Sequence, residues 1–343
     1  MVVLAGQHVY LGIDVGSVTT KIVGMLPDGE IAGAVCLETL GQPARQIMRG
    51  LTAVGEALSR RGTPVVAGVG TTGSGRNLAA ALVGGDVVKN EITAHAVAAL
   101  HQVPGVRTVL EIGGQDSKVI VLRDGVVVDF AMNTVCAAGT GSFLDRQAAR
   151  LGLDIREFGR LALRSTRPVR IAGRCTVFAE SDMVHKQQVG HSVEDIVAGL
   201  CRALVRNYLN NLAKGKDLEP PFVFQGGVAA NAGMVRAFEE ALGHEVIVPE
   251  HHALMGAYGA AILAQEWREG RGVSGRRSGR DEAALTRFRG FDLRERDFRT
   301  SAFDCDGCPN ECEIIEVFLD GALVARWGGR CRRWERDTAV PPA

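Results

Sequence analysis

Two isolated cysteines and a glycine-rich turn lie within residues 111–180. The turn, Glu-Ile-Gly-Gly-Gln-Asp-Ser-Lys, covers residues 111–118, and the cysteines are Cys136 and Cys175. A run with helical character follows each cysteine, and a helix N-terminus carries about +0.5 charge, which stabilises a thiolate. The segment therefore offers a candidate phosphate-binding turn and two candidate thiolate ligands, which the other elements must position.

Three apolar strands end in turns of this kind, at residues 14–21, 111–118 and 226–231. Glycine lets backbone N–H groups approach an anion closely. None of the three turns is a Walker motif or a GxGxxG motif. Each alone fits a plain hairpin, but together they favour ATP binding, because two of them carry an acid and a lysine at the same spacing.

The side chains of these turns suit a nucleotide with its metal ion. Asp14 and Glu111, or Asp116 beside it, are placed to hold Mg²⁺ directly or through water. Lys21 supplies a point charge for phosphate. Three residues of the first turn offer hydroxyl donors: Ser17, Thr19 and Thr20.

Bulk composition limits the classes of partner. The 343 residues have a formal net charge of zero and only 5% aromatic side chains. No basic field or stacking platform argues for nucleic acid. No signal-peptide pattern or long apolar run argues for a membrane, so we expect a cytoplasmic protein. Its eight cysteines are then reduced thiols or metal ligands rather than a disulfide framework.

The pattern of strands, turns and helices predicts an α/β fold with a duplicated architecture. Two strand–turn–strand units, each with a glycine-rich first turn, precede a largely helical second half. Arginines, glycines and serines then dominate after Glu266 and predict a solvated linker. The expected regions are an N-terminal ATPase lobe (8–105), a second lobe with both cysteines (106–265), the linker (266–300) and a cysteine-rich module (301–335).

The turns at 14–21, 112–116 and 226–231 resemble the phosphate-1, phosphate-2 and adenosine motifs of the acetate/sugar kinase, Hsp70 and actin superfamily. The resemblance implies two RNase H-like lobes that hydrolyse or transfer the γ-phosphate of ATP in the cleft between them. It also implies ATP or ADP and Mg²⁺ as ligands. The implied catalytic residues are Asp14, Glu111, Gln115 and Asp116. The implied nucleotide-binding residues are Gly16, Ser17, Val18, Thr19, Thr20, Lys21, Gly113, Gly114, Gly226, Gly227, Asn231 and Gly256.

The segments that begin at Cys136 and Cys175 are similar to those of activators of 2-hydroxyacyl-CoA dehydratases and of ATPase subunits of benzoyl-CoA reductases, the BadF/BadG/BcrA/BcrD ATPase family. The likeness covers about residues 12–264. It implies that each subunit gives two cysteines and that a homodimer holds one 4Fe-4S cluster on its two-fold axis. Such a cluster takes four thiolates, which a two-fold dimer supplies. Packing cysteines near the cleft are the plainer alternative.

The resemblance implies an ATP-driven electron transfer. Ferredoxin or flavodoxin would donate one electron, and a dehydratase or double-cubane-type reductase would accept it. A small-molecule kinase of the same superfamily is the alternative function, but it leaves the two cysteines unexplained. A metal-bearing interaction scaffold is a second alternative, and it predicts no ATP turnover.

Four further cysteines lie near the C-terminus. Cys305, Cys308, Cys312 and Cys331 fall within 27 residues, a spacing that suits either zinc or a second iron–sulfur cluster. A disulfide pair or unliganded thiols are the alternatives. Cys36 lies in an apolar strand and Cys201 on an amphipathic helix, so we expect both to pack in the core as small hydrophobic residues.

Overall fold

Strand β1 (Gln7–Val15) is the centre of the first sheet and is buried from Val9 onwards. It pairs antiparallel with β2 (Thr19–Met25) and parallel with β4 (Pro64–Thr72). Strands β3 (Ile31–Glu38) and β5 (Val87–Val88) complete the order β3-β2-β1-β4-β5. The computed structural model describes residues 7–133, 136–173, 175–271, 286–293, 296–331 and 333–334.

The helices that accompany this sheet follow the local signals in the sequence. They are α1 (Pro43–Ser59), α2 (Arg76–Val83) and α3 (Glu91–Gln102). Proline opens α1, where its missing N–H costs nothing. Gly84 ends α2 in the left-handed region at φ 76°, a conformation that suits glycine.

A second sheet repeats the topology of the first. Its strands are β6 (Thr108–Ile112), β7 (Ser117–Arg123), β8 (Val126–Asn133), β9 (Phe222–Gln225) and β10 (Val246–Ile247). The order β10-β9-β6-β7-β8 places β6 antiparallel to β7 and parallel to β9, as β1 is to β2 and β4. The predicted duplication and the predicted α/β class are therefore confirmed.

The described residues of this unit form five α-helices: α4 (Gly141–Leu151), α5 (Ile155–Leu163), α6 (Thr176–Gln188), α7 (Val193–Tyr208) and α8 (Ala232–Leu242). Helix α7 is the most deeply buried of them and contributes Ile196, Leu200 and Leu204 to the core of this half. Ser192 begins α7 by accepting a hydrogen bond from the N–H of Asp195.

The chain divides into two compact units, one formed by residues up to 98 with those from 256 onwards, and one by residues 99–255. Helix α9 (Met255–Arg268) therefore belongs with the first sheet, whereas the sequence placed it in the second lobe. The reason is a close contact between backbones. A Cβ on Gly12 would lie 1.8 Å from the Ala257 carbonyl oxygen, and one on Gly70 would lie 2.0 Å from that of Ala260.

The same packing predicts a large effect for one added methyl group. A Cβ on Gly259 of α9 would lie 1.9 Å from the carbonyl oxygen of Ala94, and neither backbone can yield without moving its helix. Gly259→Ala should therefore lower the free energy of unfolding by about 3 kcal/mol. Urea denaturation followed by circular dichroism measures this. Glu266→Ala, on the partly exposed face of the same helix, should change the free energy of unfolding by less than about 0.5 kcal/mol. Equal effects of the two substitutions would contradict the close contact between Gly259 and Ala94.

The C-terminal strands β11 (Phe298–Asp304), β12 (Glu313–Leu319) and β13 (Ala322–Trp327) form a three-stranded antiparallel sheet. This sheet shares a small apolar cluster with α2, formed by Ala81, Val317 and Ala325. It is thus packed into the first unit rather than appended to it.

Part of the predicted linker also packs into this unit. Leu293 is 0% exposed and belongs to the core of the first sheet. The buried carboxylate of Asp86 accepts bonds from the Thr286 hydroxyl (2.6 Å) and the Arg287 N–H (3.0 Å). Residues 286–293 are therefore a docked segment and not a solvated linker, because their apolar side chains alternate with the arginines. The rest of the predicted linker at 272–285 lies outside the described residues.

Within the described ranges, none of the helices combines the length and the apolar character needed to cross a lipid bilayer.

Candidate nucleotide and cysteine sites

The acid and the lysine of the first turn face one another across a hairpin. Asp14 is the last residue but one of β1 and is directly opposite Lys21 of β2. The Lys21 ammonium lies 3.3 Å from Asp14 Oδ2. The turn between them is closed by a hydrogen bond from Gly16 N–H to the Thr19 carbonyl (2.9 Å), with Ser17 exposed at its tip. Only one of the two carboxylate oxygens of Asp14 takes part in this ion pair.

Two residues without side chains surround the Asp14 carboxylate. A Cβ on Gly73 would lie 2.6 Å from Oδ1, and one on Gly256 would lie 2.5 Å from Oδ2. The second of these positions also lies 3.3 Å from Nε2 of His95, a buried residue of α3. The structure thus brings Gly256 to Asp14, as a shared site requires, and adds Gly73 and His95, which the sequence analysis missed.

The end of β4 adds a further polar feature beside Asp14. Thr72 is opposite Asp14 in the parallel register. The hydroxyls of Thr71 and Thr72 are buried, and neither has a hydrogen-bond partner among the described residues. Buried polar atoms without partners are rare and mark places where a ligand or water belongs. Only their position after a buried strand could have signalled these threonines.

Thr20 does not present its side chain as predicted. It lies inside β2, where alternation turns it into the core, and its hydroxyl is 3.0 Å from that of Thr39. Thr39 in turn donates to the Gly16 carbonyl at 2.9 Å. Thr20 therefore contacts the turn only indirectly, through Thr39, from its buried side. Val18 and Thr19 are partly exposed.

The second turn repeats the arrangement with one more acid. Glu111 is buried near the end of β6 and is directly opposite Lys118 of β7. The Lys118 ammonium lies 3.0 Å from Glu111 Oε2 and 2.7 Å from Asp116 Oδ2, and its side chain is only 2% exposed. Gln115 is exposed at the tip. A nearly buried ammonium is stable here because two carboxylates compensate its lost hydration.

Glycines also line the Glu111 carboxylate. A Cβ on Gly113 would lie 3.4 Å from Oε1, and one on Gly226, at φ 92°, would lie 2.8 Å from it. The Gly226 N–H donates to the His252 carbonyl (2.8 Å), and Nδ1 of His252 donates to the Gly226 carbonyl (2.9 Å). The second and third turns of the sequence analysis therefore meet within one unit, held by His252.

The remaining residues of the third turn have different surroundings. Gly227 has open space where a Cβ would be. Asn231 begins α8, because its Oδ1 accepts a bond from the Met234 N–H at 3.2 Å. Its Nδ2 is buried and has no hydrogen-bond partner among the described residues. Both features leave room for a ligand beside this turn.

Cys136 is held by a side chain rather than by an α-helix. The Cys136 N–H donates to Asn133 Oδ1 (3.0 Å), and Asn133 Nδ2 donates to the Cys136 carbonyl (2.8 Å). A 3₁₀ turn (Ala137–Gly139) follows the cysteine, and α4 begins only at Gly141. The predicted helical run after Cys136 is confirmed as α4, but Cys136 itself does not lie at the N-terminus of that helix, because the 3₁₀ turn separates them.

Cys175 fits the expectation. It is the N-cap residue of α6, and its carbonyl accepts the bond from the Ala179 N–H at 3.0 Å. Both Cys136 and Cys175 are partly exposed, so their thiols are accessible to a ligand.

The glycine turn and the Cys136 segment are bonded to each other. The Gly141 N–H donates to the Gly113 carbonyl (2.9 Å), and the Ser142 N–H donates to the Gly114 carbonyl (2.9 Å). The Ser142 hydroxyl adds a bond to Gly114 at 2.6 Å. The first two residues of α4 are thus hydrogen-bonded to the Gly113–Gly114 turn of the same unit.

The two packing cysteines differ. Cys201 is buried in α7 as predicted, and burial raises the pKa of its thiol to about 12. Cys36 is exposed on β3, opposite Lys21. The prediction of a core position for Cys36 is wrong, because β3 is an edge strand whose alternate residues face outwards.

Cys305 and Cys312 flank the loop that joins β11 to β12, and the Cys305 N–H donates to the Cys312 carbonyl at 2.9 Å. The Cys305 sulfur accepts hydrogen bonds from the Trp334 indole (3.3 Å) and the Gly307 N–H (3.5 Å), and these lower the pKa of its thiol. Nowhere in the described ranges do three or more His, Cys, Asp or Glu side chains come together in an arrangement that holds a metal ion.

Comparison with known proteins gives the family. The model of the BadF/BadG/BcrA/BcrD ATPase family matches residues 11–264. The (R)-2-hydroxyglutaryl-CoA dehydratase activating ATPase of Acidaminococcus fermentans is 37% identical over 254 residues, which are 74% of this chain and 96% of that protein. An uncharacterised protein of Methanocaldococcus jannaschii is 34% identical over 268 residues, and the match spans 76% of this chain but 63% of that protein.

A solved structure shares the fold. The activator of 2-hydroxyisocaproyl-CoA dehydratase from Clostridium difficile, with bound ADPNP, superposes with a TM-score of 0.68 at 32% identity and covers 76% of this chain and 95% of that chain. The two glycine-lined acid–lysine pairs, the duplicated sheets and the family match over most of the length lead to one conclusion: this chain belongs to the BadF/BadG/BcrA/BcrD ATPase family.

Proposed function

We propose that this protein is an ATP-driven electron donor that activates a dehydratase or a related reductase. Two chains would hold one 4Fe-4S cluster through Cys136 and Cys175 of each. The observation that carries the proposal is the direct bonding of the Cys136 segment to the Gly113–Gly114 turn, because it joins a candidate ligand of the cluster to a candidate nucleotide-binding element.

The residues suit ATP with Mg²⁺. Asp14 and Glu111 offer carboxylate oxygens, which Mg²⁺ prefers, and glycines border each carboxylate, so that no larger residue fills those positions. Mg²⁺ would neutralise phosphate charge during hydrolysis. Lys21 and the backbone of the 16–18 turn would bind phosphate oxygens, and Gln115 would orient the attacking water. Gly226, Gly227 and Asn231 would contact the adenosine.

The residues also suit a shared cluster. Each chain supplies two partly exposed thiols, and a two-fold axis doubles them to the four that such a cluster takes. The cluster would supply one-electron redox chemistry. Asn133 orients the Cys136 backbone, and Cys175 is the N-cap residue of α6.

Exposed apolar side chains around both cysteines support the dimer. Val126, Val128, Phe130 and Met132 form a stripe along the edge strand β8, which leads into the Cys136 segment, and Phe130 is 52% exposed. Val177 and Phe178 follow Cys175, and Phe178 is 68% exposed. An apolar patch of this kind marks an interaction surface, and a second copy of the chain would cover it symmetrically.

Hydrolysis of ATP to ADP and phosphate would change what the Gly113–Gly114 turn contacts. Ser142 and Gly141 would pass a shift of this turn to the Cys136 segment. The chain would thereby alter the reducing strength of the group that its cysteines hold, since hydrogen bonding and solvent exposure set the potential of iron–sulfur sites. One electron from ferredoxin or flavodoxin would then pass to the dehydratase or double-cubane-type acceptor.

Anaerobic purification tests the proposal. The protein should be a brown dimer in which Cys136 and Cys175 together account for about four iron atoms per pair of chains. It should hydrolyse ATP and, in the presence of ATP, transfer one electron per event to a low-potential viologen. A colourless monomer that transfers the γ-phosphate to a sugar or carboxylate would instead identify a small-molecule kinase and overturn the proposal.

We also propose a second metal site in the C-terminal sheet, with Cys305, Cys308, Cys312 and Cys331 as its ligands. The N–H bonds to the Cys305 sulfur support a thiolate there, and Cys305 and Cys312 face each other through a 2.9 Å backbone bond. Zinc and iron analysis of Cys308→Ser protein, compared with the unaltered protein, tests the site. Unchanged contents of both metals would exclude it.

A further inference from the structure

The last turn of α7 contacts both cysteine segments through one buried side chain. Asn207 is 5% exposed, and its Nδ2 donates a 2.6 Å hydrogen bond to the Gly173 carbonyl. Gly173 lies two residues before Cys175. The side-chain amide of Asn207 therefore fixes the backbone just before Cys175.

The other end of the same amide lies against the first cysteine segment. A Cβ built on Gly139 would be 3.0 Å from Asn207 Oδ1 and 3.0 Å from Asn133 Nδ2. Gly139 ends the 3₁₀ turn that begins at Cys136, and its N–H donates to the Cys136 carbonyl at 3.4 Å. The Cys136 turn thus packs on Asn207 at a residue that has no side chain to separate them.

Neighbouring bonds fix Asn207 itself. Its Oδ1 accepts from Asn211 Nδ2 at 3.1 Å. The hydroxyl of the next residue, Tyr208, donates to the Lys118 carbonyl at 2.5 Å from a fully buried position. Because Lys118 pairs with Glu111 and Asp116, this end of α7 is anchored to the strand beside the acid–lysine cluster.

We propose that Asn207 is a positioning residue that sets the distance between the thiols of Cys136 and Cys175. The inference rests on the proposed function for its purpose, since only a shared ligand requires that distance to be fixed. Asn207 would act through the Gly173 carbonyl and the packing of Gly139, and it would not touch the metal centre.

The first test uses the metal-free protein, so that it does not depend on a cluster. Dibromobimane becomes fluorescent only after it has reacted with two thiols, and mass spectrometry identifies the peptides it joins. The unaltered chain should give a Cys136–Cys175 product. Asn207→Ala should lower the yield about tenfold, because the Gly173 carbonyl loses its donor and the turn loses its support. Asn210→Ala, an exposed neighbour, should leave the yield unchanged.

Asn207→Asp covers the case in which the alanine variant fails to fold. Aspartate keeps the shape and the acceptor oxygen but lacks the N–H group that binds Gly173, so the yield should also fall. Binding of a fluorescent ADP analogue should remain within about twofold for every variant, because Asn207 lies outside the nucleotide turns. An unchanged yield in both Asn207 variants, or no product from the unaltered chain, would overturn the proposal.

The second test uses anaerobically loaded protein and the rate at which an iron chelator removes iron. That rate should rise about tenfold in Asn207→Ala and stay constant in Asn210→Ala, as a misplaced ligand pair holds the metal less well. Protein that binds no iron but shows the Asn207-dependent dibromobimane product would refute the proposed cluster while leaving the positioning role in place. Iron loss that is equal in all variants would refute the positioning role.

Discussion

Protein with Cys136→Ser should contain about four fewer iron atoms per pair of chains, lack the chromophore of the shared cluster, and still bind ADP almost as tightly as the unaltered protein. The change removes two of four thiolates from a dimer, and the serine hydroxyl stays protonated at neutral pH and is a poor ligand. The nucleotide turns keep their bonds, because Gly113 and Gly114 are bonded to Gly141 and Ser142 and not to the sulfur. Visible absorption, iron content and titration with a fluorescent ADP analogue measure the two effects.

Cys36→Ser is the matched control, since Cys36 is exposed and lies on β3. It should keep both the chromophore and ADP binding. Iron retained at the full level in Cys136→Ser protein would exclude this cysteine as a ligand. Loss of ADP binding together with the chromophore would show that the two sites cannot be separated.

Asp14→Asn should reduce the ATPase rate by about a hundredfold or more. Asparagine has the shape of aspartate and so fits between Gly73 and Gly256 without a clash. It lacks the charge that would hold Mg²⁺ and that balances Lys21 at 3.3 Å. The loss should therefore fall on the turnover rate, whereas the melting temperature should change little. Phosphate release under saturating ATP and Mg²⁺ measures the rate.

Asp28→Asn is the control for this change. Asp28 lies in the β2–β3 hairpin of the same unit, where it accepts a bond from the Glu30 N–H at the surface. The Asp28→Asn protein should hydrolyse ATP at the same rate as the unaltered protein. An Asp14→Asn protein that also kept the full rate would remove Asp14 from the catalytic set.

The hairpins show how far sequence reasoning reached. Asp14 and Lys21, like Glu111 and Lys118, are seven residues apart around a glycine turn. This matched spacing is the feature of the sequence that favoured ATP binding. The structure adds that each pair is cross-strand and in contact. The turns themselves depend on a short stretch of chain, so propensity and turn chemistry suffice to predict them, whereas the contact within each pair was not predicted.

Other predictions were wrong because distant parts of the chain determine whether a residue is buried or exposed. Cys36 lies in an apolar strand, yet the position of β3 at the sheet edge exposes it. The segment 286–293 is rich in arginine, yet Asp86, some 200 residues earlier, supplies a buried acceptor that docks it. Composition alone carries no information on which partner the folded chain will place beside a segment.

By itself, the sequence determined the α/β class, the duplication, the three glycine turns and the two cysteines, because each is written in residues close together in the chain. The tertiary structure alone decided that Gly73 and Gly256 enclose Asp14, that Ser142 rests on Gly114, and that Asn207 contacts the segments of both cysteines. These contacts join residues 28 to 242 positions apart. They arise only when each sheet packs with the helices of its own unit, since burial and backbone approach, rather than local preference, select them.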